Sequence, residues 1–206
     1  MIKIKVLSGG YLNANTYLVY DEETMEGVVI DPASSYQLVE NDSALINLKI
    51  KYILITHCHY DHIAYYEEWL KCTNAQSAIG IGDAYGLSNG AINLSPYFII
   101  NTKSFPKADI LLQDQDVLTF GCATVHVIAT PGHTTGSVCY YIGDILFSGD
   151  TIFSNGDVGR TDFPTGDDGD LKRSIAKLMQ LPKKTAVFPG HGKTTTIGLE
   201  MKYYSV

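Results

Sequence analysis

Five of the six histidines in this chain fall in three short segments: His57, His59 and His62 in THCHYDH, His133 in TPGHTTGS and His191 in FPGHG. Asp61 and the Asp150 of LFSGD bring the nitrogen and oxygen donors to seven, enough for two metal ions. A fold that uses them together must bring residues 57, 133, 150 and 191 to one edge, which excludes most architectures open to the chain. Imidazole nitrogen with carboxylate oxygen suits zinc, iron or manganese, whereas calcium and magnesium take shells dominated by oxygen.

Each donor taken singly has a plainer reading. A lone histidine is usually an ordinary core or surface group. Asp61 alone would be a helix cap, His133 and His191 turn residues after glycine, and Asp150 a cap or turn at a strand end. Three histidines within six residues outweigh these readings, as does the placement of the later donors at strand or strand–loop junctions. His126, inside VHVIA with no companion donor, is assigned to a strand face without a chemical role.

Apolar alternation and short apolar runs predict strands at residues 2–7, 15–20, 26–30, 51–55, 77–81, 117–120, 123–129, 137–142, 144–148 and 185–188. Residues 33–47 after Asp31-Pro32 read as a helix with its cap and first turn. The stripe Leu171, Ile175, Leu178 and Met179 marks another over 167–181. Further helices are expected over Tyr65–Cys72 and around Ile197, Met201 and Tyr204, the last weakened by Gly198. Residues 83–107, mixing Gly, Asn, Ser and Pro with Tyr97, Phe98 and Phe105, read as a long loop or flap. This order suits an α/β (α+β) fold of two sheets packed face to face with helices outside.

With 206 residues, 45% of them hydrophobic, the chain fits one domain spanning 1–206. A net charge of −7 argues against nucleic acid or anionic membrane as a partner, since both call for clustered Lys and Arg. No stretch approaches the roughly 18 apolar residues of a membrane span, and no signal peptide is visible, so a cytoplasmic protein is expected. Cys58, Cys72, Cys122 and Cys139, without CxxC spacing, read as reduced and mostly buried thiols. The pattern sets no oligomeric state.

THCHYDH, TPGHTTGS, SGDT and PGHG, spread over nearly the whole chain, resemble the metallo-β-lactamase-fold superfamily. Residues 156–167 (GDVGRTDFPTGD) and 190–200 (GHGKTTTIGLE) resemble most closely its glyoxalase II branch. The resemblance implies a four-layer αββα sandwich in which His57, His59 and His133 hold one ion, Asp61, His62 and His191 the other, and Asp150 bridges them. Aspartate at 150 separates the chain from many true β-lactamases, and His59 in place of a glutamate from the di-iron flavoprotein branch. The 15 residues after His191 leave no room for the helical carboxyl-terminal domain that grips glutathione in that branch. The chain is therefore similar to its compact, hydroxyacylglutathione-hydrolase-like members.

The expected activity is hydrolysis of a small-molecule thioester or ester. Two divalent ions, zinc first and iron or manganese next, would share one water as hydroxide, with Asp61 coordinating and orienting it. Asn15, Tyr97, Phe98, Arg160 and Lys193 are candidate substrate contacts. For Arg160 the competing reading is an ion pair with Asp162 that fixes the loop after Asp150. Rival functions are a mononuclear iron persulfide dioxygenase and a lactonase using the same two-metal site.

Overall fold

The computed structural model describes residues 1–7 and 9–204. Among them, two six-stranded sheets form. The first runs β1 (Ile2–Leu7), β2 (Thr16–Asp21), β3 (Glu26–Ile30), β4 (Lys49–Ile55), β5 (Gln76–Gly80) and β6 (Ile110–Leu112) in spatial order. The second holds β7 (Val117–Phe120), β8 (Ala123–Ala129), β9 (Val138–Ile142), β10 (Ile145–Gly149), β11 (Ala186–Pro189) and β12 (Thr195–Thr196), in sequence order across the sheet. Pairing is antiparallel from β1 to β3, parallel from β3 to β6, and parallel again between β10 and β11. Parallel neighbours send their carboxyl ends the same way, so the loops that follow β3, β4 and β5 share one edge of the first sheet and those that follow β10 and β11 one edge of the second.

The period-2 alternation of strand side chains explains the layering. In β4, Leu54 enters the core between the sheets with Val19, Val28, Phe120, Val125 and Tyr140. Its neighbours Ile53 and Ile55 point the other way, into a core with Trp69, Tyr66 and Ile63. β4 is therefore apolar at consecutive positions because both faces are covered. On the far side, Cys139 and Leu146 pack against Leu171, Ile175 and Leu178 of α5 (Asp168–Leu178). The result is the expected sandwich with helices on both outer faces. No described helix is long and apolar enough to cross a membrane.

Several expectations are corrected. The segment 33–47 makes only one α-turn, α1 (Gln37–Glu40), and a 3-10 turn at Ser43–Leu45. Asp31 is not a cap: it sits at φ 52° and its carboxylate faces inward. Ser35 Oγ and the Tyr36 amide donate to Glu68 instead of starting a helix, and Asp42 caps the second turn at Ala44 N. Polar side chains that compete for nearby backbone end the helix early. The 83–107 segment, expected as a long loop or flap, is a chain of short turns that includes α4 (Gly90–Asn93). The Asn93 amide donates to the carbonyls of Gly86, Leu87 and Lys103, and the Lys103 amide donates to Ser95 Oγ. Cys58 and Cys139 are buried, but Cys72 and Cys122 are exposed. β6 and β12 escaped the sequence reading because three and two residues carry too little alternation.

The helix expected at Tyr65–Cys72 is α3 (Tyr66–Cys72), preceded by a one-turn helix, α2 (Tyr60–Ile63), that carries Asp61 and His62. The carboxyl-terminal helix is α6 (Ile197–Glu200), continued by a 3-10 turn through Tyr203.

Candidate metal centre

All seven donors meet at one edge of the sandwich, in loops that follow strands. His57, His59, Asp61 and His62 follow β4, His133 follows β8, Asp150 follows β10 directly, and His191 lies two residues beyond β11. The sheets are tied here, since Val138 N donates to Thr56 O and the Tyr140 hydroxyl to Ile55 O. Gly190 N donates to Gly149 O, which brings the His191 loop against Asp150.

Donor atoms of three residue sets lie within 4.8 Å of one another: His57, His59 and His133; His57, His62 and Asp150; Asp61, His62 and His191. His62 Nε2 is 3.1 Å from His191 Nε2 and 3.4 Å from Asp150 Oδ1. Asp150 Oδ2 lies 3.6 Å from His133 Nε2 and 3.7 Å from His191 Nε2, so this carboxylate stands between the two groups. Asp61 Oδ2 is 3.2 Å from His191 Nε2.

The Nε2 atoms of His57, His59 and His133, and Asp150 Oδ1, are buried with no hydrogen-bond partner. Each such orphan costs about 1–3 kcal/mol, so four facing a common centre is a set that a cation resolves. The outward nitrogens agree. His133 Nδ1 meets the Arg160 carbonyl at 2.7 Å, His191 Nδ1 the Leu12 carbonyl at 3.2 Å, and His62 Nδ1 the Asp31 carboxylate at 2.9 Å. Carbonyl and carboxylate oxygens only accept, so each of these Nδ1 atoms carries a proton and Nε2 is the nitrogen turned inward. His57 reaches the same state through Thr56: the Thr56 hydroxyl donates to Asp31 Oδ2 at 2.7 Å, leaving its oxygen to accept from His57 Nδ1 at 3.0 Å.

Burial first, and then the neighbouring imidazoles, push the His57 pKa well below its usual value, and burial with His133 beside it brings His59 down to about 3. Both are neutral donors. For His62 burial works against charge, but Asp150 and Asp61 overcome it and raise its pKa. Burial likewise opposes the charge on Asp150 and Asp61, yet the imidazoles, His62 foremost, hold both carboxyls below the usual range. Two ionised carboxylates thus create a field that a divalent cation satisfies. The neutral imidazoles, the ionised carboxylates and the orphaned atoms all fit metal ions.

Asp31, Thr56 and Asp83 escaped the sequence reading. Asp31 anchors His62 directly and His57 through Thr56. Asp83 accepts from Cys58 N at 2.9 Å, Thr134 Oγ1 at 2.8 Å and Gly136 N at 2.7 Å, locking the THCHYDH turn to the His133 loop. The available signal for Asp31 was an acid directly after the apolar run VVI, where a buried strand opens.

Beside the donors lies a cavity of about 530 Å³, lined in part by Tyr97, Phe98 and Arg160. Two candidate contacts lie elsewhere. The Asn15 amide donates to the carbonyls of Pro189 and Gly192, at 3.0 and 3.1 Å, so it clamps the His191 loop and does not face the cavity. Lys193 is exposed and is not part of the lining. Arg160 and Asp162 do pair, Nε to Oδ1 at 2.6 Å. His126 is exposed on β8, away from the donors.

The family model described as the metallo-beta-lactamase superfamily matches residues 9–191. A Bacillus subtilis protein described as the probable metallo-hydrolase YqgX is 30% identical, over 91% of this chain and 89% of its own. The crystal structure of BLEG-1, a B3 metallo-beta-lactamase, superposes with a TM-score of 0.89 at 33% identity and covers 98% of both chains. TTHA1623 in a di-iron-bound form superposes with a TM-score of 0.84 at 30% identity, again over 98% of each.

Proposed function

The chain belongs to the metallo-beta-lactamase superfamily, and from that premise we propose that it is a binuclear metal-dependent hydrolase of the glyoxalase II-like branch, cleaving a thioester or ester. The observation that carries this reading is the cluster of four buried, unpartnered donor atoms on His57, His59, His133 and Asp150. His57, His59 and His133 would hold one cation, and Asp61, His62 and His191 the other, with the Asp150 carboxylate between them. Two divalent cations there supply a water of near-neutral pKa and polarise an acyl carbonyl.

The chain's own groups do the rest. Asp61 lines the cavity and stays ionised, so its carboxylate accepts a hydrogen bond from the attacking water and orients it. Asp31, Thr56, Arg160 O and Leu12 O hold the imidazoles in register, which limits reorganisation during the reaction. Water gives its oxygen to the acyl carbon, the C–S or C–O bond breaks, and the leaving group departs with a proton. A thiol of pKa about 8.5 needs little help.

Support for the branch comes from its two characteristic stretches. Glu200, at the end of GHGKTTTIGLE, accepts from Asn155 N, Gly156 N and Thr195 Oγ1, which knits that stretch to the start of GDVGRTDFPTGD. Zinc is our first assignment; the same donors suit iron, which TTHA1623 binds as a pair. The donor His191 favours two ions over the single iron of a persulfide dioxygenase. Four free cysteines support a reducing, cytoplasmic setting.

The test is elemental analysis together with thioester and ester cleavage by wild type, His59→Ala and Asp150→Ala. We expect two ions per chain in wild type, fewer in both variants, and cleavage lost with them. Unchanged cleavage in either variant removes the reading. One iron per chain with oxygen uptake on a persulfide replaces it by the dioxygenase, and preferred opening of lactones or of a β-lactam would redirect the substrate within the hydrolases.

A further inference from the structure

The cavity shares His59, Asp61, His133, Asp150 and His191 with the metal centre, so its occupant must touch the reacting atoms. Away from those donors its walls are apolar. Leu12 comes from the turn before β2, Tyr97 and Phe98 from the coil after β5, and Phe153, Val158 and Phe163 from the chain after β10. Among the described lining residues outside the donor set, Arg160 alone carries a charge. That charge is already engaged: its guanidinium pairs with Asp162 through two nitrogens and lies 4.0 Å from the Phe163 ring centroid. A substrate carboxylate would have to share that guanidinium with Asp162.

The apolar wall is built in advance. Phe98 stacks on Tyr60 with centroids 5.3 Å apart, and Tyr11 closes edge-on against both rings. Phe163 lies 5.9 Å from the His59 ring, where the cavity meets the donors, and Tyr97 extends the wall outward from it at 6.1 Å. Tyr97 is 76% exposed, leaving apolar surface that a bound chain would cover.

We infer that the site selects thioesters or esters of uncharged, apolar acyl groups, with Phe163 and Tyr97 as the specificity-determining contacts. The inference rests on the hydrolase reading above and narrows its substrate. The acyl chain occupies the aromatic cavity and its carbonyl meets the donors. Hydrolysis adds water's oxygen to the acyl carbon and breaks the bond to sulfur or oxygen. The products are the apolar carboxylic acid and a protonated thiol or alcohol. The lining offers the carboxylates of a glutathione carrier no cation but Arg160, which Asp162 already pairs.

The experiment compares acetyl, butanoyl, hexanoyl and phenylacetyl thioesters of one neutral thiol with a hydroxyacyl-glutathione thioester, on the metal-loaded protein. A buried methylene is worth roughly a fourfold rise in kcat/KM, and about twofold where the wall is half open. Four added methylenes from acetyl to hexanoyl should therefore give about 16-fold to 250-fold. Phe163→Ala and Tyr97→Ala should shrink that ratio, and Phe163→Leu should restore part of it. A flat series, or a glutathione thioester cleaved as well as the hexanoyl one, overturns the inference and leaves the hydrolase reading standing. Loss of all metal-dependent cleavage would instead strike the hydrolase reading. Calorimetry of hexanoate against acetate then decides the cavity separately: tighter hexanoate that Phe163→Ala weakens upholds the apolar site, and equal binding overturns it.

Discussion

Asp31→Asn tests whether one carboxylate organises both halves of the metal centre. Asp31 is 2% exposed and accepts three hydrogen bonds: from Thr56 N at 2.8 Å on Oδ1, and from Thr56 Oγ1 at 2.7 Å and His62 Nδ1 at 2.9 Å on Oδ2. Asparagine keeps the shape and tolerates the left-handed backbone at φ 52°, so neither size nor strain confuses the result. It cannot accept on both sides. One orientation of the amide sets its NH2 against Thr56 N–H, and the other sets it against the Thr56 hydroxyl and His62 Nδ1–H together. The milder choice leaves one buried donor opposed, at a cost of about 1–3 kcal/mol in folding stability. It also leaves His62 bonded to a neutral oxygen, and such changes behind a ligand weaken metal binding about 10-fold to 100-fold. Chelator competition and urea unfolding of the metal-stripped protein measure the two effects. An Asn variant that keeps both ions at wild-type affinity would refute the reasoning, and Thr56→Val, which cuts His57 off from Asp31 but leaves the Asp31–His62 bond, should fall between the two.

At Gly190 an added Cβ would lie 2.1 Å from Asp150 Oδ1 and 2.7 Å from His62 Cε1, so Gly190→Ala should destabilise by about 1–3 kcal/mol and lower metal content, both read by unfolding and elemental analysis. Asn15→Ala removes two bonds to the His191 loop; it should weaken metal retention without altering preference among acyl chains, and a changed preference would return Asn15 to the substrate contacts. Ser77, through its amide and then its hydroxyl, holds the Asp109 carboxyl below the usual range. The stability this supplies is complete above about pH 4 and is lost as pH falls through the lower native value, so Asp109→Asn should flatten the acid limb of urea midpoints measured from pH 2 to 6. An acid limb as steep as that of wild type would reject that assignment.

The strands and the seven donors were legible because their signals are local. Apolar alternation marks a strand wherever one face is covered, the run YILI marks β4 as buried on both, and three histidines in six residues have few other uses. The helix expected over 33–47 failed because Glu68, 33 residues after Ser35, takes the donors a helix start would have left free. Asn15 and Arg160 show the same limit. The Asn15 amide clamps the His191 loop, and Arg160, which lines the cavity, forms the pair with Asp162 that was its competing reading while its carbonyl seats His133. By itself the sequence determined which atoms can bind metal and which strands lead to them, since donor chemistry and periodicity belong to neighbouring residues. Which carboxylate fixes the imidazoles, and that Phe153 and Phe163 join Tyr97 and Phe98 around the cavity, emerges from the packed chain alone: both depend on distances between residues far apart in the sequence, which no local pattern records.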